Sequence, residues 1–311
     1  MTAATRSPVV IGVDDSPSAS AAVRLAAREA ARRGCPLRVV HAFIWPLLRV
    51  PLGPSPLGPP EGGLRQQAAR IVDEAVAEAR AAAPEVAVTG EVVEGAPAAV
   101  LLRESRQAEL VVVGNRGLGG FAGLVLGSVA AQVAEYARCP VLVVRGEERA
   151  DGPVVVGVDG SDHSALALDF ALDAAAQREA ELVVVHAWSS PTAQWAADVP
   201  PPSTDVTAVE AGHRSLLAKM VAAARSRRPD VPVTERLLSG PAAKTLLAEA
   251  EAAQLVVVGA RGLGGWKGLL LGSVSQAVLR HAACPVAIVR PRTADTDATD
   301  AAPTGAEATT S

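Results

Sequence analysis

Short, valine-rich apolar runs alternate along this chain with longer stretches in which apolar positions recur at helical spacing. In the first half the runs fall near residues 8–14, 37–43, 86–93, 109–113 and 140–145. Apolar character that is continuous rather than alternating predicts strands buried on both faces of a sheet. The intervening segments predict helices near 17–33, 63–83, 96–107 and 127–137. The one at 63–83 is an Ala/Arg/Glu pattern carrying Ile71, Val72 and Val76, with Pro84 just past its end. Strands and helices in this alternation predict an α/β fold: a five-stranded parallel sheet with helices on both faces, in Rossmann-like or flavodoxin-like order. Ligands of such sheets bind at the carboxyl ends of the strands.

The whole pattern then repeats. Val9–Ser16 reads VVIGVDDS and Val154–Ser161 reads VVVGVDGS. Asp14 recurs as Asp159, His41 as His186, Gly114 as Gly259 and Cys139 as Cys284, a constant offset of 145 residues. Two long copies fit a duplicated globular unit better than a solenoid of short stacked repeats. The expected organisation is two tandem nucleotide-binding domains, 1–146 and 152–291, joined by a linker at Arg145–Pro153. Residues 292–311 are rich in Ala, Thr and Asp without periodicity, which predicts a disordered tail. Pro- and Gly-rich surface loops are expected at Pro46–Pro60 and Ser189–Thr207.

Composition narrows the partners. Of 311 residues, 49% are hydrophobic and only 3% aromatic, so the core must rest on Val, Leu, Ile and Ala. The formal charge of −4 argues against nucleic acid, which needs a basic surface. Cys35, Cys139 and Cys284 lack CxxC spacing and read as buried thiols rather than disulfides or a zinc site. Met1–Pro8 has no apolar core of a signal peptide, and no stretch suits a membrane span. A cytoplasmic location is the expectation.

The chemistry concentrates in one loop, present twice. Gly114–Ser128 reads GNRGLGGFAGLVLGS and Gly259–Ser273 reads GARGLGGWKGLLLGS. Both have the spacing G-x2-G-x9-G-S, directly after a buried strand and directly before a helix. Glycines let backbone N–H groups approach a ligand closely. Gly127-Ser128 and Gly272-Ser273 open helices whose free N–H groups favour an anion. The Ser128 and Ser273 hydroxyls can donate to phosphate oxygens, and Arg116 and Arg261 can add charge-assisted hydrogen bonds. The alternative is a glycine-rich connection with serine as helix cap; duplication of the spacing favours the nucleotide reading. A Walker A sequence is absent. Asp14 and Asp159, at the end of each first strand, can accept from ribose hydroxyls or an adenine amino group. Ser16 and Ser161 are expected to cap the following helices and leave the two aspartates free.

At these residues the chain resembles a tandem universal stress protein. VGVDxS at the first strand, VVHA at the second, the G-x2-G-x9-G-S loop and CPVxxV at the fifth strand carry the resemblance over residues 7–146 and 152–291. It implies the ATP-binding branch of the family, with contacts from Asp14, the Ala42 backbone, Gly114, Arg116, Gly117, Gly127, Ser128 and Val129. The matching set is Asp159, Ala187, Gly259, Arg261, Gly262, Gly272, Ser273 and Val274. It also implies magnesium, where present, held mainly by the phosphates, and a role in stress response. Gly12 and Gly157 stand where the family often has Pro or Ala, and Ala42 and Ala187 where it often has Val. Single-domain relatives pair, so the two copies are expected to form an internal pseudo-dimer through their fifth strands, and a homodimer of whole chains is compatible with this.

His41 and His186 read as hydrogen-bonded strand-end histidines. His163, His213 and His281 occur only in the second copy, at spacings that suit no metal. Phe121 and Trp266 read as loop anchors. Lys267 replaces Ala122, and Ala260 replaces Asn115, so two similar sites of unequal affinity are expected. The leading function is a regulatory protein that binds adenine nucleotide and catalyses nothing; the alternatives are a slow ATPase and a cyclic-AMP-binding adaptor. Residue by residue, no group that would orient a nucleophile is identifiable.

Overall fold

A computed structural model describes residues 6–43, 60–117, 125–189, 205–264 and 270–291. The tail at 292–311, most of the two proline-rich loops, and Phe121, Ala122, Trp266 and Lys267 lie outside the described residues. The first half runs β1 (Val9–Gly12), α1 (Pro17–Arg33), β2 (Leu37–Phe43), α2 (Pro60–Ala82), β3 (Val88–Glu94), α3 (Pro97–Glu104), β4 (Leu110–Gly114), α4 (Ser128–Tyr136) and β5 (Val141–Val144). The second runs β6 (Val154–Gly157), α5 (Asp162–Gln177), β7 (Leu182–Trp188), α6 (Val206–Arg227), β8 (Val233–Ser239), α7 (Ala242–Glu249), β9 (Leu255–Gly259), α8 (Ser273–His281) and β10 (Val286–Val289).

Local chemistry sets these limits. Ser16 caps α1, Pro17 occupies its first turn, and Gly34 ends it in the left-handed conformation at φ 60°. β1 ends at Gly12, so Asp14 lies in the loop that follows the strand.

Within each half the strand order is 3-2-1-4-5, the Rossmann order, and all pairs are parallel. The halves do not form separate sheets. β5 pairs antiparallel with β10, Leu142 opposite Ala287, and the ten strands make one continuous sheet. Each of these strands is four buried residues long. Left at an edge, it would present unpaired backbone groups beside a wholly apolar surface. Pairing at the centre removes both edges at once, and the fifth strands are the contact that the repeat led us to expect.

The apolar core follows the sheet across the seam. α1, α2, α5 and α6 cover one face, and α3, α4, α7 and α8 the other, each over a cluster drawn from both halves. On the first face Glu29 of α1 is only 1% exposed. It accepts from Arg32 at 3.0 Å and from Arg178, which caps the end of α5, and Arg33 Nε lies 3.5 Å away. Burial opposes the charge on Glu29, but Arg178, Arg33 and Arg32 together hold its carboxyl below the ordinary 4.5. Among the described residues no helix is long and apolar enough to cross a membrane.

Candidate functional site

Each half carries a cleft at the carboxyl ends of its strands, where the order reverses between the first and fourth. Because the halves run antiparallel, the clefts sit on opposite edges of the sheet. The first, about 460 Å3, is lined by Asp14, Ala42, Gly114, Arg116, Gly117, Gly127, Ser128 and Val129. The second, about 420 Å3, is lined by Asp159, Ala187, Gly259, Arg261, Gly262, Gly272, Ser273 and Val274. All sixteen residues singled out from the sequence therefore come together, eight in each cleft. Volumes of this size suit a small organic ligand.

The starts of two helices line the clefts. Gly127 and Gly272 are the N-caps of α4 and α8, both extended, and neither helix has a side-chain cap. The cap is thus the glycine, and Ser128 and Ser273 occupy the first helical positions. Among the described residues these helix starts have no side-chain cap, and open first-turn N–H groups favour an anion. Gly127 N–H donates to Asn115 O, and Gly272 N–H to Ala260 O, both at 2.8 Å, closing each loop at its base.

The aspartates are not free. Ser16 and Ser161 do cap α1 and α5, accepting from Ala19 N at 3.3 Å and Ser164 N at 3.2 Å. A hydroxyl can accept and donate together, and each of these also donates to its aspartate, Ser16 to Asp14 and Ser161 to Asp159. Asp159 accepts further from Ser161 N at 3.0 Å and from Leu263 N at 2.8 Å. Burial works against its charge, yet these donors hold the carboxyl below its usual value. The second aspartate thereby ties the glycine loop down. A Cβ placed on Gly117 or Gly262 would lie 2.3 Å from the Oδ2 of Asp14 or Asp159 respectively, so only glycine lets carboxylate and loop approach. Gly12 and Gly157 have a matching reason: Leu101 and Leu246 occupy the space a Cβ would need, at 2.6 and 2.7 Å.

Beside the clefts, against the lining arginines, the halves differ at a position the sequence reading did not connect to them. Ser18 of the first half corresponds to His163 of the second. The Ser18 hydroxyl donates to Arg116 O. His163 Nε2 instead accepts from Arg261 Nε at 3.1 Å. Burial, then the cations Arg261 and Arg290, push the His163 imidazolium pKa down, so it stands as a neutral acceptor. The constant offset between the copies was the signal that could have found this pair.

His41 and His186 are hydrogen-bonded at strand ends, through Nδ1 to Val13 O at 2.9 Å and to Val158 O at 2.8 Å. His186 also meets His213 at 2.8 Å, and His213 stacks on Trp188. All three cysteines are buried, and burial pushes the Cys284 thiol up to about 11. Among the described residues no three His, Cys, Asp or Glu side chains are grouped to hold a metal.

A Rossmann-order sheet carrying twin clefts, each lined by the glycine at a helix start, defines a duplicated α/β fold. The chain belongs to the universal stress protein family, whose model matches residues 5–145 and again 152–290. It is 38% identical over 299 residues to a universal stress protein of Mycolicibacterium smegmatis, covering 93% of this chain and 99% of that one. It has the same identity to one from Mycobacterium tuberculosis, covering 91% and 96%. The fold is shared with a universal stress protein of Archaeoglobus fulgidus, at a TM-score of 0.67 and 20% identity, over 92% of this chain and 99% of that one.

Proposed function

We propose that the protein binds ATP or a closely related adenine nucleotide in each cleft and works in the cytoplasm as a regulatory binder rather than an enzyme. The observation that carries this is the pair of uncapped helix starts facing glycine loops, with Ser128 and Ser273 at the first turn and Arg116 and Arg261 on the wall. Phosphates meet the helix end, and the base lies toward Ala42 and Ala187 at the far side. Each repeat unit, 1–146 and 152–291, supplies one site. The cleft residues offer backbone amides, hydroxyls and guanidinium groups, which bind charge. Turnover needs in addition a group that orients a nucleophile, and both aspartates are already engaged by serine hydroxyls. Magnesium accompanying the nucleotide rides on its phosphates.

Calorimetric titration of the full chain with ATP, ADP, cyclic AMP and GTP tests the reading. ATP should bind at up to two sites, with phosphate release no faster than background. Absence of heat with every adenine nucleotide refutes it, and preferential binding of cyclic AMP replaces ATP as the ligand.

A further inference from the structure

Two arginines outside the clefts cross the seam. Arg145 follows β5 and Arg290 follows β10, and they are counterparts in the repeat. Arg290 donates through Nη1 to Glu135 O at 2.7 Å and through Nη2 to Ala134 O. Arg145 donates through Nη1 to Leu279 O. Ala134 and Leu279 are themselves counterparts, in the last turns of α4 and α8. Each arginine thus serves the carboxyl end of the other half's last helix. The antiparallel seam makes the reach, because β10 ends on the edge of the sheet where α4 also ends.

These are costly cations to bury. The Nε of each is buried without a partner among the described residues. Burial pushes the Arg290 guanidinium down to about 10, and the like charge of Arg261 in the second cleft acts the same way. What offsets the cost is the negative end of a helix. Those two helices are the ones whose positive ends face the clefts. Each arginine is also bonded, through its neighbour, to its own half's loop. Val289 O accepts from Ala260 N at 2.7 Å, and Val144 O from Asn115 N at 2.9 Å.

We propose that Arg290 and Arg145 are crossed positioning residues: Arg290 fixes α4 for the first cleft and Arg145 fixes α8 for the second. Each cleft's affinity then depends on the opposite half. The inference rests on the reading of the clefts as nucleotide sites. Each guanidinium pins the last-turn carbonyls of a nine-residue helix, so losing it lets that short helix shift and moves the first-turn N–H groups at its other end without touching them.

The test is ATP titration of the full chain with hydrogen exchange followed separately at the start of α4 and of α8. R290M should weaken ATP at the first cleft about fivefold or more and leave the second within about twofold. R145M should show the mirror pattern. R290K, which keeps the cation, should retain more first-cleft affinity than R290M and again spare the second. A residue that merely holds the seam together would weaken both clefts alike, and that result overturns the proposal, as does an effect confined to the arginine's own half. ATP protection at both clefts without the crossed pattern refutes this inference alone. No protection at either cleft of the unaltered chain refutes the nucleotide reading and this inference with it.

Discussion

Gly262→Ala isolates the contact between carboxylate and loop. Its φ is not in the left-handed region, so the backbone accepts alanine. The new Cβ would sit 2.3 Å from Asp159 Oδ2, where ordinary contact begins at 3.4 Å, and the carboxylate must retreat by about 1 Å. That retreat carries its 2.8 Å bond from Leu263 N beyond hydrogen-bonding range. A hydrogen bond to a charged group contributes about 1.5–3 kcal/mol. If the loop must be held by Asp159 to receive phosphate, affinity at the second cleft should fall about ten- to a hundredfold. The apolar core is untouched, so the melting temperature should move little. Calorimetric titration with ATP, beside thermal unfolding, reads both quantities. One site of the two should weaken, and adding Gly117→Ala should weaken the other. Two unchanged sites, or a large loss of stability with binding intact, would show that the aspartate supports the fold and not the ligand.

Three further outcomes follow from the same geometry. A Cβ on Gly127 would lie 3.2 Å from Asn115 O, whereas the nearest atom to one on Gly272 is at 3.6 Å; Gly127→Ala should therefore weaken its cleft more than Gly272→Ala weakens the other, in the same titration. His163→Ser should free Arg261 from a neutral hydrogen bond worth about 1 kcal/mol and tighten the second cleft about fivefold, with the first unchanged in the same titration. Glu29→Ala should cost about 3 kcal/mol or more by leaving Arg178 buried without its acid, measured by denaturant unfolding. Because the Glu29 carboxyl is held below 4.5 in the fold, its stabilisation is complete above that pH and is lost as pH falls below it; a stability profile flat from pH 6 to 3 would contradict this.

The strands and helices were legible because their signals are local. Valine runs marked β4 and β9, and the apolar spacing with Ser16 as cap marked α1 at 17–33, where it lies. The glycines, arginines and serines of the clefts were legible because the loop is contiguous and duplicated, the two aspartates because each ends a first strand, and Ala42, Ala187, Val129 and Val274 only through the family resemblance. What escaped depends on distant neighbours. The apolar run of β5 looks the same whether its partner lies in this chain or another, so the single ten-stranded sheet could not be read beyond a contact between fifth strands. Glu29 sits in an Ala/Arg helix like any surface acid, and its partner Arg178 is 149 residues away. Asp14 and Asp159 were expected free because a capping serine was counted once, as acceptor, when its proton was also available. His163 was weighed as a metal ligand alone, not against Ser18.

Glu29 also bears on what fusing the copies made available. Its counterpart in the second half is Ala174, while Arg33 and Arg178 are counterparts of each other. In a dimer of identical single units, every residue near the twofold axis appears twice, and two buried carboxylates would crowd together. A fused chain can keep one acid between two equivalent arginines and drop the other. The halves have thereby ceased to be interchangeable. The second half paired with its own copy would bring two Arg178 side chains together with no acid at the Glu29 position, because Ala174 stands there.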